Sequence, residues 1–166
     1  MEIKELKPFF EDTTLDLSMR EYARLMKIGT RHATTILKSY TKENILIRTT
    51  TGPRSPYKIN PESPKARSLA QLYWQGRLTN LVQAIKDKIN PTGIVLVNEF
   101  TDLTNTKDTK ITIFLCGTTN QSLNRTEYVK ELGRQIQLIA GETLIRFPAA
   151  YKLKTANGFL LSGKIV

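Results

Sequence analysis

The feature that most narrows what this chain can fold into is a change of period at Asn44. From Ser18 to that point apolar residues recur at helical spacing, whereas Ile45 to Thr51 is β-branched and apolar with no helical repeat. Ser18 followed three residues later by Glu21 is a capping box, in which a hydroxyl and a carboxylate each satisfy one of the orphan N–H groups that open a helix. The pattern predicts a helix capped by Ser18, with Tyr22, Leu25 and Met26 facing inward, and ended by the turn Lys27-Ile28-Gly29. Thr30 is expected to cap a second helix with Ala33, Ile36, Leu37 and Tyr40 on its inner face, and Asn44 suits the left-handed position that closes it. Gly52 to Pro56 then reads as a turn and Tyr57-Lys58-Ile59 as a returning strand, which makes a hairpin with a basic tip.

Charge is concentrated on the same segment. Of 25 Lys and Arg against 15 Asp and Glu in 166 residues, a net +10, the stretch from Ser18 to Asn60 holds nine basic and two acidic residues, a net +7. Clustered basic charge beside helical and hairpin elements is the electrostatic footprint expected of a polyanion-binding surface. Cysteine and histidine are equally informative by their scarcity. A single Cys116 excludes an internal disulfide framework or a multi-thiolate metal site, and a single His32 excludes a His-rich metal centre and leaves one imidazole for any Ser/His or Cys/His catalysis. No apolar run approaches the roughly 18 residues that span a bilayer, and the opening Met1 to Phe10, with Glu2, Lys4, Glu5 and Lys7, has neither a signal-peptide nor a transit-peptide pattern. A cytoplasmic location is the expectation.

Elsewhere, Lys4 to Phe10 reads as a short opening helix and Pro61 to Pro64 as a linker. Lys65 to about Ile89 follows helical spacing through Leu69, Leu72, Tyr73, Leu78, Leu81, Val82, Ile85 and Ile89, with a phase shift near Gly76 that predicts a kink or two helices. This stripe suits either packing between domains or a dimer surface. Beyond Asn90-Pro91 the pattern becomes α/β: a strand at Gly93 to Val97, a polar loop from Asn98 to Thr109, a strand at Lys110 to Leu115, an amphipathic helix from Leu123 to Ala140 with Tyr128, Val129, Leu132, Ile136 and Ile139 on one face, a strand at Gly141 to Phe147, and a last ordered piece opening at Gly158.

The run Ser18-Met19-Arg20-Glu21-Tyr22-Ala23-Arg24-Leu25 and the following Ile28 to Lys38 resemble, without a gap, the two helices of winged helix-turn-helix transcription regulators, and Lys42-Glu43-Asn44-Ile45-Leu46 is similar to the segment that leads into the wing, with Asn44 where the family has glycine. The resemblance implies that the second helix enters the major groove of DNA. Thr30, Arg31, His32, Thr34, Thr35 and Lys38 would form its outer face, and Arg48, Arg54 and Lys58 on the wing would lie along the backbone or in the minor groove. The same faces would serve a protein-interaction module built on this fold.

Ile94 to Leu115 is similar in length and apolar rhythm to the core of minimal nucleotidyltransferases of the DNA polymerase β-like superfamily, in which coupling to an N-terminal winged helix is known chiefly from archaea. Those enzymes cradle the triphosphate on a Gly-Ser pair and hold Mg²⁺ on an Asp-x-Asp motif. Here Asn98-Glu99 stands for the pair, and Lys110 and Thr112 stand for the aspartates. Glu99, Asp102 and Asp108 are close in sequence but lack the two-metal spacing.

The expected fold is therefore α+β, with a winged helix-turn-helix at 1–62, a connecting helical region at 63–90 and a small α/β nucleotidyltransferase-like domain at 91–166 that has lost its activity. The expected function is a DNA-binding transcription regulator, not an enzyme, acting on double-stranded DNA as a homodimer, with no cofactor, no metal and no membrane partner. A divergent nucleotidyltransferase acting on protein or RNA and an antitoxin-like interaction module remain the alternatives.

Overall fold

A computed structural model describes residues 3–50, 55–142 and 158–164, a mixed α+β chain. Its described helices are α1 (Lys7–Glu11), α2 (Met19–Met26), α3 (Thr30–Lys42), α4 (Pro64–Arg77), α5 (Thr79–Lys88) and α6 (Thr126–Leu132); its strands are β1 (Leu46–Arg48), β2 (Tyr57–Ile59), β3 (Gly93–Leu96), β4 (Ile111–Cys116), β5 (Ile136–Gly141) and β6 (Phe159–Gly163). The chain divides into two compact units, Met1–Tyr73 with Asp102–Lys107, and Trp74–Thr101 with Asp108–Val166. No helix among the described residues is long and apolar enough to cross a membrane.

In the first unit the local signals of the sequence become geometry. The backbone N–H of Ser18 donates to Glu21 Oε2 at 2.8 Å and the N–H of Glu21 donates to Ser18 Oγ at 3.4 Å, so α2 opens on the reciprocal cap. It closes on Lys27 in the left-handed region at φ 55°, and Asn44 takes the same region after α3 at φ 58°. Ala33, Ile36, Leu37 and Tyr40 are buried, as their spacing requires. Two details of the sequence reading are corrected. Gly29 is the N-cap of α3 and Thr30 its first helical residue, because Gly29 is extended at φ −68°, ψ 148°. Leu25 is 55% exposed while Ala23 is buried, because the inner face of α2 runs through Tyr22 and Ala23 and Leu25 falls one position past it.

β1 and β2 pair antiparallel, Leu46 opposite Ile59 and Arg48 opposite Tyr57, and Leu17 bridges to Tyr57 on the far side of β2. Strand β1 is shorter than the expected Ile45 to Thr51; Thr51 and the turn residues Gly52, Pro53 and Arg54 lie outside the described residues. The buried Asn60 side chain donates to the backbone and side-chain oxygens of Asn44, each at 3.0 Å, which pins the end of the hairpin to the end of α3. The opening segment Ile3–Leu6 and α1 cover this core with Leu6, Phe9 and Phe10, and fully burying each such side chain stabilises by about 1.5–3 kcal/mol. Asn105 donates to the carbonyls of Phe10 and Glu11, and Tyr73 Oη donates to Glu11 Oε1 at 2.7 Å.

The second unit is a four-stranded sheet in the order β5-β4-β3-β6, with β3 antiparallel to β4 and β6 and β4 parallel to β5. Gly93 and Gly163 face each other across β3 and β6: a Cβ on Gly93 would meet the Lys164 carbonyl oxygen at 2.2 Å, and one on Gly163, at φ +75°, would meet the Thr92 oxygen at 1.9 Å. Trp74 packs edge-to-face on Phe100 at 4.6 Å, and the buried Arg134 lies over both rings while donating to the Thr109 carbonyl at 2.9 Å.

The sequence reading is revised here in three places. The helix expected from Leu123 to Ala140 is only Thr126–Leu132: Gly133 ends it in the left-handed region at φ 67°, and Ile136–Gly141 becomes β5, so the strand expected at Gly141 to Phe147 starts five residues earlier. Residues 143–147 lie outside the described residues. The long helical stretch is two helices, as the phase shift near Gly76 predicts, but the buried stripe of α4 runs through Ala66, Ala70, Tyr73 and Trp74, which leaves Leu72 55% exposed. The Asn98 to Thr109 loop is polar in composition but buries Phe100, Thr101, Leu103 and Asn105.

Candidate nucleic-acid interface

At 3.6 residues per turn, Arg31, Thr35, Lys38 and Lys42 fall on one stripe of α3, directly opposite the stripe formed by Ala33, Ile36, Leu37 and Tyr40. The first four are exposed and the second four buried. The core contacts that fix the roll of the helix therefore also fix which side chains it offers outward. Thr30 and His32 are exposed on either flank of the stripe and Thr34 is half-buried at its shoulder. Of the residues marked on the second helix by the sequence, the structure brings Arg31, Thr35 and Lys38 into line and sets His32 aside. Lys42 was not singled out in advance, although its spacing of four from Lys38 would have found it.

Two hydroxyls on this face lie within hydrogen-bond distance of carbonyls of their own helix. Thr34 Oγ1 donates to the Thr30 carbonyl at 2.8 Å and Thr35 Oγ1 donates to the Arg31 carbonyl at 3.2 Å. On the hairpin, Arg48 is exposed with its guanidinium 5.7 Å from the centroid of the Tyr57 ring, a cation–π contact that orders the side chain, and Lys58 is half-buried on β2. Arg54 lies outside the described residues. On α2, Arg20 and Arg24 are exposed four residues apart, and Lys27 is exposed at the helix end.

The acids of this segment are engaged locally. Glu21 is half of the capping box and Glu43 pairs with Lys65. Arg20, Arg24, Lys27, Arg31, Lys38 and Lys42 make no ion pair with a carboxylate among the described residues. The result is an uncompensated positive face on two consecutive helices.

Beneath it, two tyrosines tie the helices to the opening segment. Tyr22 Oη of α2 donates to the Glu5 carbonyl at 2.8 Å, and Tyr40 Oη of α3 donates to Glu5 Oε2 at 2.7 Å. Burial pushes both phenols well above their ordinary range, and the Glu5 carboxylate adds to the effect: a phenolate there would be desolvated and would face a negative charge.

In the second unit Lys110 is exposed immediately before β4, and Thr112 is half-buried on it, with its carbonyl accepting from the Val97 N–H at 3.1 Å. Asn98 and Glu99 sit in a 3-10 turn after β3, and Asp108 is exposed. Among the described residues no three His, Cys, Asp or Glu side chains come together in a way that could hold a metal ion. No protein-family model, curated protein or solved structure matches the chain.

Proposed function

We propose that the chain is a DNA-binding transcription regulator, acting in the cytoplasm as a homodimer on double-stranded DNA. Residues 1–62 form a winged helix-turn-helix, 63–90 connect, and 91–166 are a nucleotidyltransferase-like domain without activity that serves as scaffold, dimerisation or sensing module. One observation carries the reading: the Arg31, Thr35, Lys38, Lys42 stripe stands opposite the buried face of α3, its cations unpaired by any described carboxylate. A helix anchored along one side, with exposed cations and a hydroxyl along the other, is shaped for a groove lined by phosphates and base edges. Arg48, held over Tyr57, supplies a further cation on the hairpin.

The donor set of the second unit argues against metal-dependent nucleotidyl transfer. Where the resembling enzymes have aspartates, Lys110 presents an ammonium, which cannot ligate Mg²⁺, and Thr112 a neutral hydroxyl. The residues do not fit the metal, and no transfer step is assigned. The second unit also carries an open cleft of about 550 Å³ whose lining mixes Leu123, Val129 and Ile136 with Asn124, Arg125, Thr126, Lys130 and Gln135.

Selection of bound duplexes from a random pool tests the reading. Enrichment of a two-fold symmetric site is the expected outcome, because two copies would read two half-sites. Failure to retain any duplex at low salt would contradict it.

A further inference from the structure

The segment Asp102–Lys107 belongs to the first unit, although Thr101 before it and Asp108 after it belong to the second. In the second unit its two feet are held by one side chain: the buried Arg134 guanidinium lies 5.5 Å from the centroid of the Phe100 ring and donates to the Thr109 carbonyl at 2.9 Å. In the first unit its anchor is Asn105, fully buried. The Asn105 amide donates to the Phe10 and Glu11 carbonyls at 2.9 and 3.3 Å, and its backbone carbonyl accepts from the Thr13 N–H at 3.0 Å. These bonds hold the end of α1. Earlier in the same opening segment, Glu5 accepts the hydroxyls of Tyr22 from α2 and Tyr40 from α3, and Phe9 stacks on Tyr22 at 5.9 Å. Contacts within the first unit thus run from Asn105 to the two helices that carry the cationic face.

Two features oppose the docked form of this segment. Leu103, 4% exposed, sits in the left-handed region at φ 60°, where a bulky side chain crowds its own backbone. Asn105 Oδ1 is buried with no hydrogen-bond partner among the described residues, so its desolvation is not offset. A segment gripped by several contacts but opposed by backbone strain and an orphan acceptor is suited to two positions, docked and released. Resting on the DNA-binding reading above, we propose that Asp102–Lys107 is a coupling segment between the two units. Docked, it braces α1 and keeps α2 and α3 in their DNA-binding arrangement; a shift at Arg134 releases it and loosens both helices.

Amide hydrogen exchange on the free full-length chain tests the proposal. The Thr13 N–H, bonded to the Asn105 carbonyl, reports docking; the Ile28 and Ile45 N–H groups, bonded to the Ala23 and Tyr40 carbonyls, report α2 and α3. Asn105→Ala removes the side-chain bonds to α1, and Arg134→Lys keeps the charge but loses the planar fork that reaches ring and carbonyl together. Each should speed exchange at Thr13 by about tenfold, and at Ile28 and Ile45 by a similar factor, because one release exposes all three. In the wild type, dilute urea should bring the three amides onto one opening below the global transition, a measurement that needs no variant to fold. By reciprocity, saturation with the duplex enriched from the random pool should slow exchange at Thr13 as well as in the helices. Faster exchange confined to Thr13 would reduce the segment to a local clasp and overturn the proposal. So would a Thr13 rate unchanged by Arg134→Lys or by bound duplex, or separate openings in urea. Absence of all duplex binding by the wild type at low salt would instead remove the DNA-binding reading, while the exchange rates of the free chain still decide whether the segment braces α2 and α3.

Discussion

Tyr40 shows how one side chain links the core to the outward face. Its ring belongs to the buried stripe of α3, and its hydroxyl donates to Glu5 at 2.7 Å. Replacing it by Phe keeps the ring and removes a hydrogen bond to a charged acceptor, so Tyr40→Phe should destabilise by about 1.5–3 kcal/mol in chemical denaturation. The pH dependence has a definite sign. The folded-state pKa of Tyr40 is raised above the ordinary tyrosine value near 10, by burial first and by Glu5 second. Stability from this group is fully present below that value and is lost as the pH rises above it, because the unfolded chain releases the phenolic proton more readily. Circular dichroism between pH 8 and 12 should show helical signal falling above about pH 10, and less steeply in Tyr40→Phe. This contact was not legible in the sequence. Glu5 and Tyr40 are 35 residues apart, and no local rule pairs a carboxylate with a phenol at that distance.

At the scale of elements, legibility followed how local the determining interaction is. The span from Ser18 to Asn44 could be read because its signals act within a few residues: a capping box, a turn at Lys27, an Asn able to take φ 58°. The cap has a cost when broken, and Ser18→Ala should lower stability by about 1 kcal/mol in thermal or denaturant unfolding. Strand β5 was misread because Ile136 and Ile139 are three apart, a spacing a helix accepts; its strand character comes from parallel pairing with β4, which periodicity does not carry. In α4 the small Ala66 and Ala70 are buried and Leu72 is exposed, an inversion of side-chain size that hydrophobic spacing alone cannot reveal. The Gly93 and Gly163 pairing is likewise tertiary. Gly163→Ala sets a methyl group against the Thr92 backbone at a positive φ, and should cost about 1–3 kcal/mol or more, read as a lowered unfolding midpoint.

For the molecule as a whole, the basic excess of +7 between Ser18 and Asn60 is distributed so that the fold leaves much of it unpaired and outward. The acids that could have neutralised it cap a helix or pair with Lys65. That arrangement was half legible: composition located the charge, but only the roll of α3 about its buried stripe shows that Arg31, Lys38 and Lys42 stand in line. The most direct measurement of the central claim is duplex affinity across 50 to 200 mM salt, by fluorescence anisotropy, for the wild type and the Arg31→Ala, Lys38→Ala double variant, both of whose altered sites are exposed. The log-log slope should be steep, about −0.9 for each phosphate contacted, and the double variant should bind more weakly, with the slope reduced by about 1 for each of its two cations that holds a phosphate. A wild-type affinity that is negligible at 50 mM salt, or a double variant indistinguishable from wild type throughout, would contradict it.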